Sequence, residues 1–222
     1  MSNLSNVWFK VTDLQVATGR GCRVTTTTIS KEQYEYAKQR VAELGLGDRI
    51  TLLLKDYRAL EGEYDKLVSI EMIEAVGHQY YDTFFRCCSE RLKDDGMMLV
   101  QAITIADRYY EEALREVDFI KRFVFPGGFL PSVTEMAKAL TRATDLRISH
   151  LEDIGLHYAT TLAHWRRNFF RQLGAVREMG YPEAFIRMWD FYLCYCEGAF
   201  RERAISDVLM LWTGPQSRLR TL

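Results

Sequence analysis

Proline is scarce in this chain of 222 residues, with four in all, and no low-complexity stretch accompanies them. That scarcity excludes a long linker, and the length suits a single α/β domain over residues 1–222. An excess of charge of either sign is also lacking. The 29 basic and 30 acidic residues leave a net charge of −1, so no general electrostatic pull toward nucleic acid or anionic lipid exists. No apolar run approaches the roughly 20 residues that span a bilayer. Met1–Val11 contains no glycine, and it has neither the charged n-region nor the long apolar stretch of a signal peptide, which predicts a cytoplasmic protein. The five cysteines (Cys22, Cys87, Cys88, Cys194, Cys196) are odd in number and lack C-x-x-C spacing. This argues against a zinc site or a disulfide framework and for reduced, buried thiols. His150, His157 and His164 fall on different elements and make no metal-like cluster.

What is present alternates between strand and helix. Arg23–Ile29 (RVTTTTI) is β-branched and reads as a strand. Ser30-Lys31-Glu32-Gln33 fits a capping box, the serine hydroxyl meeting an amide three residues on and the glutamine reaching back. The helix it opens runs from Lys31 to about Leu44 and stops at Gly45 and Gly47. Ile50–Leu54 and Asp65–Ile70 are apolar runs of the kind that parallel strands bury. A helix from about Tyr80 to Leu92 follows, then a turn at Asp95-Gly96 into a third such strand, Met97–Ile105. This alternation predicts a parallel sheet with right-handed crossovers. Downstream, Asp107–Phe123 is charged and amphipathic, FPGGFLP breaks the pattern, and a capping-box spacing at Ser132 starts a helix to about Ala143. Leu146–Asp153 reads as a strand. Two long helices, Thr160–Gly174 and Pro182 to about Ile205, carry nine aromatic residues, among them Trp165, Trp189, Tyr192 and Phe200.

Ligands of open α/β sheets sit at the carboxyl ends of the strands. Thr28 closes the first predicted strand and Gln33 opens its helix. Asp56-Tyr57-Arg58 follow the second strand, and Glu71 and Glu74 follow the third. Such acceptors suit the ribose hydroxyls and amino group of a nucleoside, and equally suit helix caps and surface turns. Glu74 stands among Met72, Ile73, Ala75 and Val76, where a carboxylate needs a donor or stays protonated. It reads as a base or an anion-site organiser, or as a structural cap. His78 beside Gly77 reads as a solvated loop residue. The aromatic helices serve as core or as a pocket for a long apolar ligand, whose ring faces stabilise a developing cation.

YDKLVSIEMIEAVGHQYYDTFF, LVQAITI, FIKRFVFPGGFLPS, HYATTLAHW and AFRER together resemble the cyclopropane-fatty-acyl-phospholipid synthase family, which includes the mycolic acid cyclopropane synthases. The likeness runs from about Gly19 to Gly214. It implies a class I methyltransferase fold, S-adenosylmethionine as cofactor, and methyl transfer to the double bond of an unsaturated lipid acyl chain, giving a cyclopropane or methyl-branched product. The implied partner is a phospholipid or another lipid, with peripheral contact at the inner membrane face; no nucleic acid is implied. The helical segments at about 107–145 and 160–205 become substrate-pocket elements. A bound bicarbonate ion takes the proton in this family. Carried over by motif, its ligands are Glu74, the Ile103 amide and Tyr158, with Gln101 at the position of a histidine. A glutamine donates to an anion but carries no charge. Thr28 and Gln33 match residues near the methionine and ribose, Asp56 and Tyr57 lie where adenine is held, and Glu71 counts among the cofactor residues.

One departure stands out. The family's E-x-G-x-G-x-G loop and first strand belong upstream of about residue 12, yet only MSNLSNVWFKV stands there. Thr18-Gly19-Arg20-Gly21 is therefore a helix end before the second strand, and the resemblance implies a first strand that is missing or replaced and a truncated chain. Val7–Val11 (VWFKV) is the candidate replacement in the middle of the sheet. Two rival readings follow: a remnant unable to bind cofactor, and a small-molecule methyltransferase. The aromatic helices argue against the second.

Overall fold

The computed structural model describes residues 3–6, 19 and 21–218. Seven strands form one sheet in the order β3-β2-β1-β4-β5-β7-β6. They are β1 (Asn3–Asn6), β2 (Arg23–Thr28), β3 (Ile50–Leu54), β4 (Tyr64–Ile70), β5 (Leu92–Ile105), β6 (Arg147–Asp153) and β7 (Ile205–Thr213). The first five are parallel, and β7 runs antiparallel between β5 and β6. The central slot holds Asn3–Asn6, paired with β2 on one side and β4 on the other. The candidate for this slot, Val7–Val11, lies outside the described residues. The slot demands paired backbone N–H and C=O groups, a demand that any extended segment meets.

Around the sheet lie α1 (Lys31–Glu43), α2 (Tyr81–Ser89), α3 (Asp107–Ala113), α4 (Val133–Ala143), α5 (Gly155–Arg171), α6 (Leu173–Glu178) and α7 (Glu183–Arg201). Successive side chains of β5 point to opposite faces. Met98, Val100 and Ala102 join Phe84, Phe85, Met136, Leu140 and Trp212 in the largest apolar cluster, between the sheet and the α2–α4 pair. Ile103 points the other way, into a cluster of Ala159, Leu162, Leu193 and Phe200 on α5 and α7. Val24, Val41, Leu46 and Ile50 form a third group under α1.

Four local expectations change. Ser30 does cap α1, accepting from the Gln33 amide at 3.2 Å. Gln33 does not reach back to the Ser30 amide, however; its Oε1 accepts from the Thr28 hydroxyl at 2.7 Å, and Thr28 itself accepts from the Ser30 amide. Asp95-Gly96 is no turn between elements. Strand β5 runs through it, and the register shift between Tyr64 and Lys66 absorbs the extra residues, Tyr64 facing Leu92 and Lys66 facing Met97. Gly96 permits this, since a Cβ there would sit 2.8 Å from the Lys93 carbonyl. The aromatic helices start at Gly155 and Glu183, and the second ends at Arg201. The segment after it, ISDVLMLWT, is strand β7, a strand not expected from the sequence. Gly19 is helical and Gly21 has φ +66°, the helix end and turn expected there.

Candidate active site

Parallel strands bring the ends of β2, β3, β4 and β5 to one edge of the sheet. Thr28 pairs with Leu54 and Ile70 with Gln101 in the ladders. On the β2–β3 side, the buried Thr28 is tied to Gln33, whose side chain is exposed at the start of α1. Asp56 caps the short helical turn Tyr57–Ala59 by accepting from the Arg58 amide, and it grips the Arg58 guanidinium at two 2.8 Å contacts. Arg58, first through its hydrogen bonds, holds the Asp56 carboxyl below its usual range. Tyr57 packs edge-on against Phe84, and burial pushes its hydroxyl up to about 12. An exposed carboxamide, a carboxylate and a ring face are donor and acceptor types that fit a ribose and an adenine. The resemblance assigns the loop around the methionine to the stretch upstream of about residue 12, and residues 7–18 lie outside the described residues.

The β4–β5 side gathers the acidic groups. Glu71 ends β4 with φ +51°, a left-handed conformation that a residue with a Cβ adopts only when its surroundings enforce it. Its amide donates to the Gln101 carbonyl at 2.8 Å. Gln101 Nε2 donates to Glu71 Oε1 at 3.3 Å and to Asp207 Oδ2 at 2.7 Å. Tyr158, from α5, lies close enough to Glu71 for that carboxylate to act on its phenol. Its phenol is held well above its usual value, first by burial and then by the Glu71 and Asp207 carboxylates. Glu74, three residues on, accepts the Ile103 amide on Oε1 at 2.6 Å, while Oε2 is enclosed with no hydrogen-bond partner. Burial pushes the Glu74 carboxyl up to about 7 against those hydrogen bonds, and the neighbouring carboxylates add to the rise. Glu74 also accepts the Phe129 amide on its main-chain carbonyl, anchoring the FPGGFLP segment at the rim.

Thus Glu71, Glu74, Gln101, Ile103 and Tyr158 meet in one cluster, while Thr28, Gln33, Asp56 and Tyr57 line the other half of the edge. Glu71, expected among the cofactor residues, bonds to Gln101 and lies beside Tyr158. Asp207 escaped the sequence reading because strand β7 did; a lone carboxylate inside ISDVLMLWT, completely buried, was its only signal. Of the four groups expected to hold bicarbonate, Glu74 and the Ile103 amide bond each other, Gln101 bonds Glu71 and Asp207, and Tyr158 lies beside Glu71.

Aromatic side chains roof this cluster. Tyr158 stacks on Phe200 with ring centroids 4.8 Å apart, and Trp165 meets its edge. Trp189 and Tyr192 pack into the same apolar group as Ile103. From the 119–125 stretch, Phe119 meets Phe191 at 4.7 Å and Phe125 meets Tyr192 at 6.3 Å. Among the described residues, no helix is long and apolar enough to cross a membrane.

Residues 8–210 match the family model of mycolic acid cyclopropane synthetase. The tuberculostearic acid methyltransferase of Mycobacterium tuberculosis is 37% identical over 185 residues, which are 83% of this chain and 43% of that protein. The cyclopropane-fatty-acyl-phospholipid synthase of Escherichia coli K12 is 36% identical over 182 residues, 82% of this chain and 45% of that one. The chain spans less than half the length of these curated relatives. Among solved structures, a mycolic acid cyclopropane synthase complexed with SAH and CTAB superposes with a TM-score of 0.86 at 25% identity, over 96% of this chain and 78% of that one. With its sheet order, its acidic strand ends and these matches together, the chain belongs to the mycolic acid cyclopropane synthase family and has that family's class I methyltransferase fold.

Proposed function

We propose that this chain carries S-adenosylmethionine-dependent methyl transfer to the double bond of an unsaturated lipid acyl chain. The supporting observation is the carboxylate-rich cluster of Glu71, Glu74 and Asp207 at the strand ends, roofed by the aromatic side chains of α5 and α7. Thr28, Gln33, Asp56 and Tyr57 would hold the nucleoside half of the cofactor. When bound, S-adenosylmethionine supplies an electrophilic methyl group. An alkene is a weak nucleophile, so the chain's contribution is to orient the acyl chain, exclude water and stabilise positive charge. The rings exclude water and face a cation favourably, and the carboxylates beneath them add negative charge and a proton acceptor. The segments at about 107–145 and 160–205 are the pocket elements for the acyl chain. Groups that the resemblance gives to bicarbonate are already engaged within the chain, Glu74 with the Ile103 amide and Gln101 with Glu71 and Asp207.

The acyl chain comes from a bilayer. Phe123 and Phe125 are 57% and 56% exposed beside Lys121 and Arg122, a composition that suits the headgroup boundary and supports peripheral membrane contact. Calorimetric titration with S-adenosylmethionine tests the reading first; no binding at near-millimolar cofactor leaves the chain a remnant. Incubation with unsaturated phospholipid vesicles is then expected to give a mass gain of one methylene. Glu74→Gln is expected to lower kcat at least about tenfold with little change in cofactor affinity. Unchanged turnover removes Glu74 from the mechanism.

A further inference from the structure

Resting on that reading, we propose that the Glu71 carboxylate takes the proton in place of a bound bicarbonate ion. Bicarbonate is a planar oxyanion, and so is a carboxylate. One of the groups that the resemblance gives to bicarbonate, the Gln101 carboxamide, donates to Glu71, and another, the Tyr158 hydroxyl, lies beside it. A third, the Ile103 amide, is taken by Glu74 Oε1 at 2.6 Å. A free anion at this spot would displace these bonds and lie among Glu71, Glu74 and Asp207.

In the step itself, a C–H bond of the methylated acyl chain breaks. Its electron pair stays on carbon and forms the new carbon–carbon bond that discharges the cation. The proton passes to Glu71, which becomes a carboxylic acid and later loses that proton to solvent. Glu74 stays fixed on the Ile103 amide throughout, and Gln101, braced by Asp207, orients the Glu71 carboxylate.

Two measurements test this, and only one needs turnover. Carbon-13 bicarbonate, titrated by nuclear magnetic resonance into the whole chain without other ligands, is expected to show no binding to the native protein in the tens-of-millimolar range and clear binding to Glu71→Gly. Binding to the native protein, or none to the variant, overturns the proposal. In the vesicle assay, native turnover is expected to change less than twofold between carbon-dioxide-depleted and bicarbonate-supplemented buffer. Glu71→Gln is expected to lose about 100-fold or more, the low end of what a positioned base contributes. Glu71→Gly is expected to lose as much and to recover with bicarbonate or formate. A bicarbonate-dependent native protein, or full activity in Glu71→Gln, overturns the proposal while leaving lipid methylation intact. Absence of turnover in every buffer sinks the wider reading instead, and the titration still decides the occupant of the site.

Discussion

Replacing Glu74 by glutamine should reverse the sign of its effect on stability between acid and alkaline pH. In the folded chain, burial raises the Glu74 carboxyl from its usual 4.5 to about 7. Between those values the folded chain keeps a proton that the unfolded chain has released, so rising pH progressively costs stability across that window and no further above it. A rise of that size corresponds to about 3 kcal/mol as an upper bound, and local relaxation and water entry reduce it to roughly 1–3 kcal/mol. Glutamine keeps an oxygen for the Ile103 amide and never ionises. It also puts an NH2 where Oε2 now lies without a partner, a pH-independent cost of about 1 kcal/mol. The variant is therefore expected to be equal to or slightly less stable than the native protein at pH 5, and more stable above pH 8. For a chain of this length the alkaline gain corresponds to at most roughly 8 °C in Tm. Thermal unfolding followed by circular dichroism from pH 5 to 8.5 reads both curves. Curves that stay parallel across the range refute the burial argument.

Ser132→Ala should cost about 1 kcal/mol, because the hydroxyl that caps α4 on the Glu135 amide is buried; urea unfolding measures it, and a loss under a few tenths contradicts the cap. Gly214→Ala should destabilise by about 1–3 kcal/mol, because a Cβ there runs into the Asp94 main-chain carbonyl; an unchanged urea midpoint refutes the close approach. Thr28→Val should loosen α1 by about 1 kcal/mol, since Gln33 loses its donor and the Ser30 amide its acceptor, and it should weaken cofactor binding in calorimetry; unchanged stability and affinity remove Thr28 from the site.

Much of the fold was legible wherever one element obeys one rule. RVTTTT and ITLLL announce buried strands through branched side chains, and Ser30 and Ser132 announce helix starts through a hydroxyl three residues ahead of a bondable amide. Elements that obey two rules at once misled. Strand β5 continues through Asp95-Gly96 because a partner strand takes up the slack, and no single sequence displays that pairing. Strand β7 begins just after an aromatic helix that the sequence extends to about Ile205, so nothing in the sequence set its buried Asp207 apart. The candidate site was legible as a set of residues and illegible as a network. Glu71, Glu74, Gln101, Ile103 and Tyr158 could be named in advance. That Gln101 would bridge two carboxylates, or that Glu71 would turn left-handed toward Tyr158, depends on neighbours more than 30 positions away.

The four residues of β1 also act as a joint. On one side lie only β2 and β3, with Thr28, Gln33, Asp56 and Tyr57 at their ends; on the other lie β4, β5, β7 and β6, with every carboxylate of the acidic cluster. Two half-sheets thus meet along a seam of a few peptide groups, and the seam runs between the nucleoside end of the site and the proton-handling end. A ligand that spans both ends clamps the halves together from above while β1 ties them from within. Its binding should register as slowed amide exchange on β2 and β4 alike, the two strands that flank the seam, and a ligand seated on one half alone should protect only its own side.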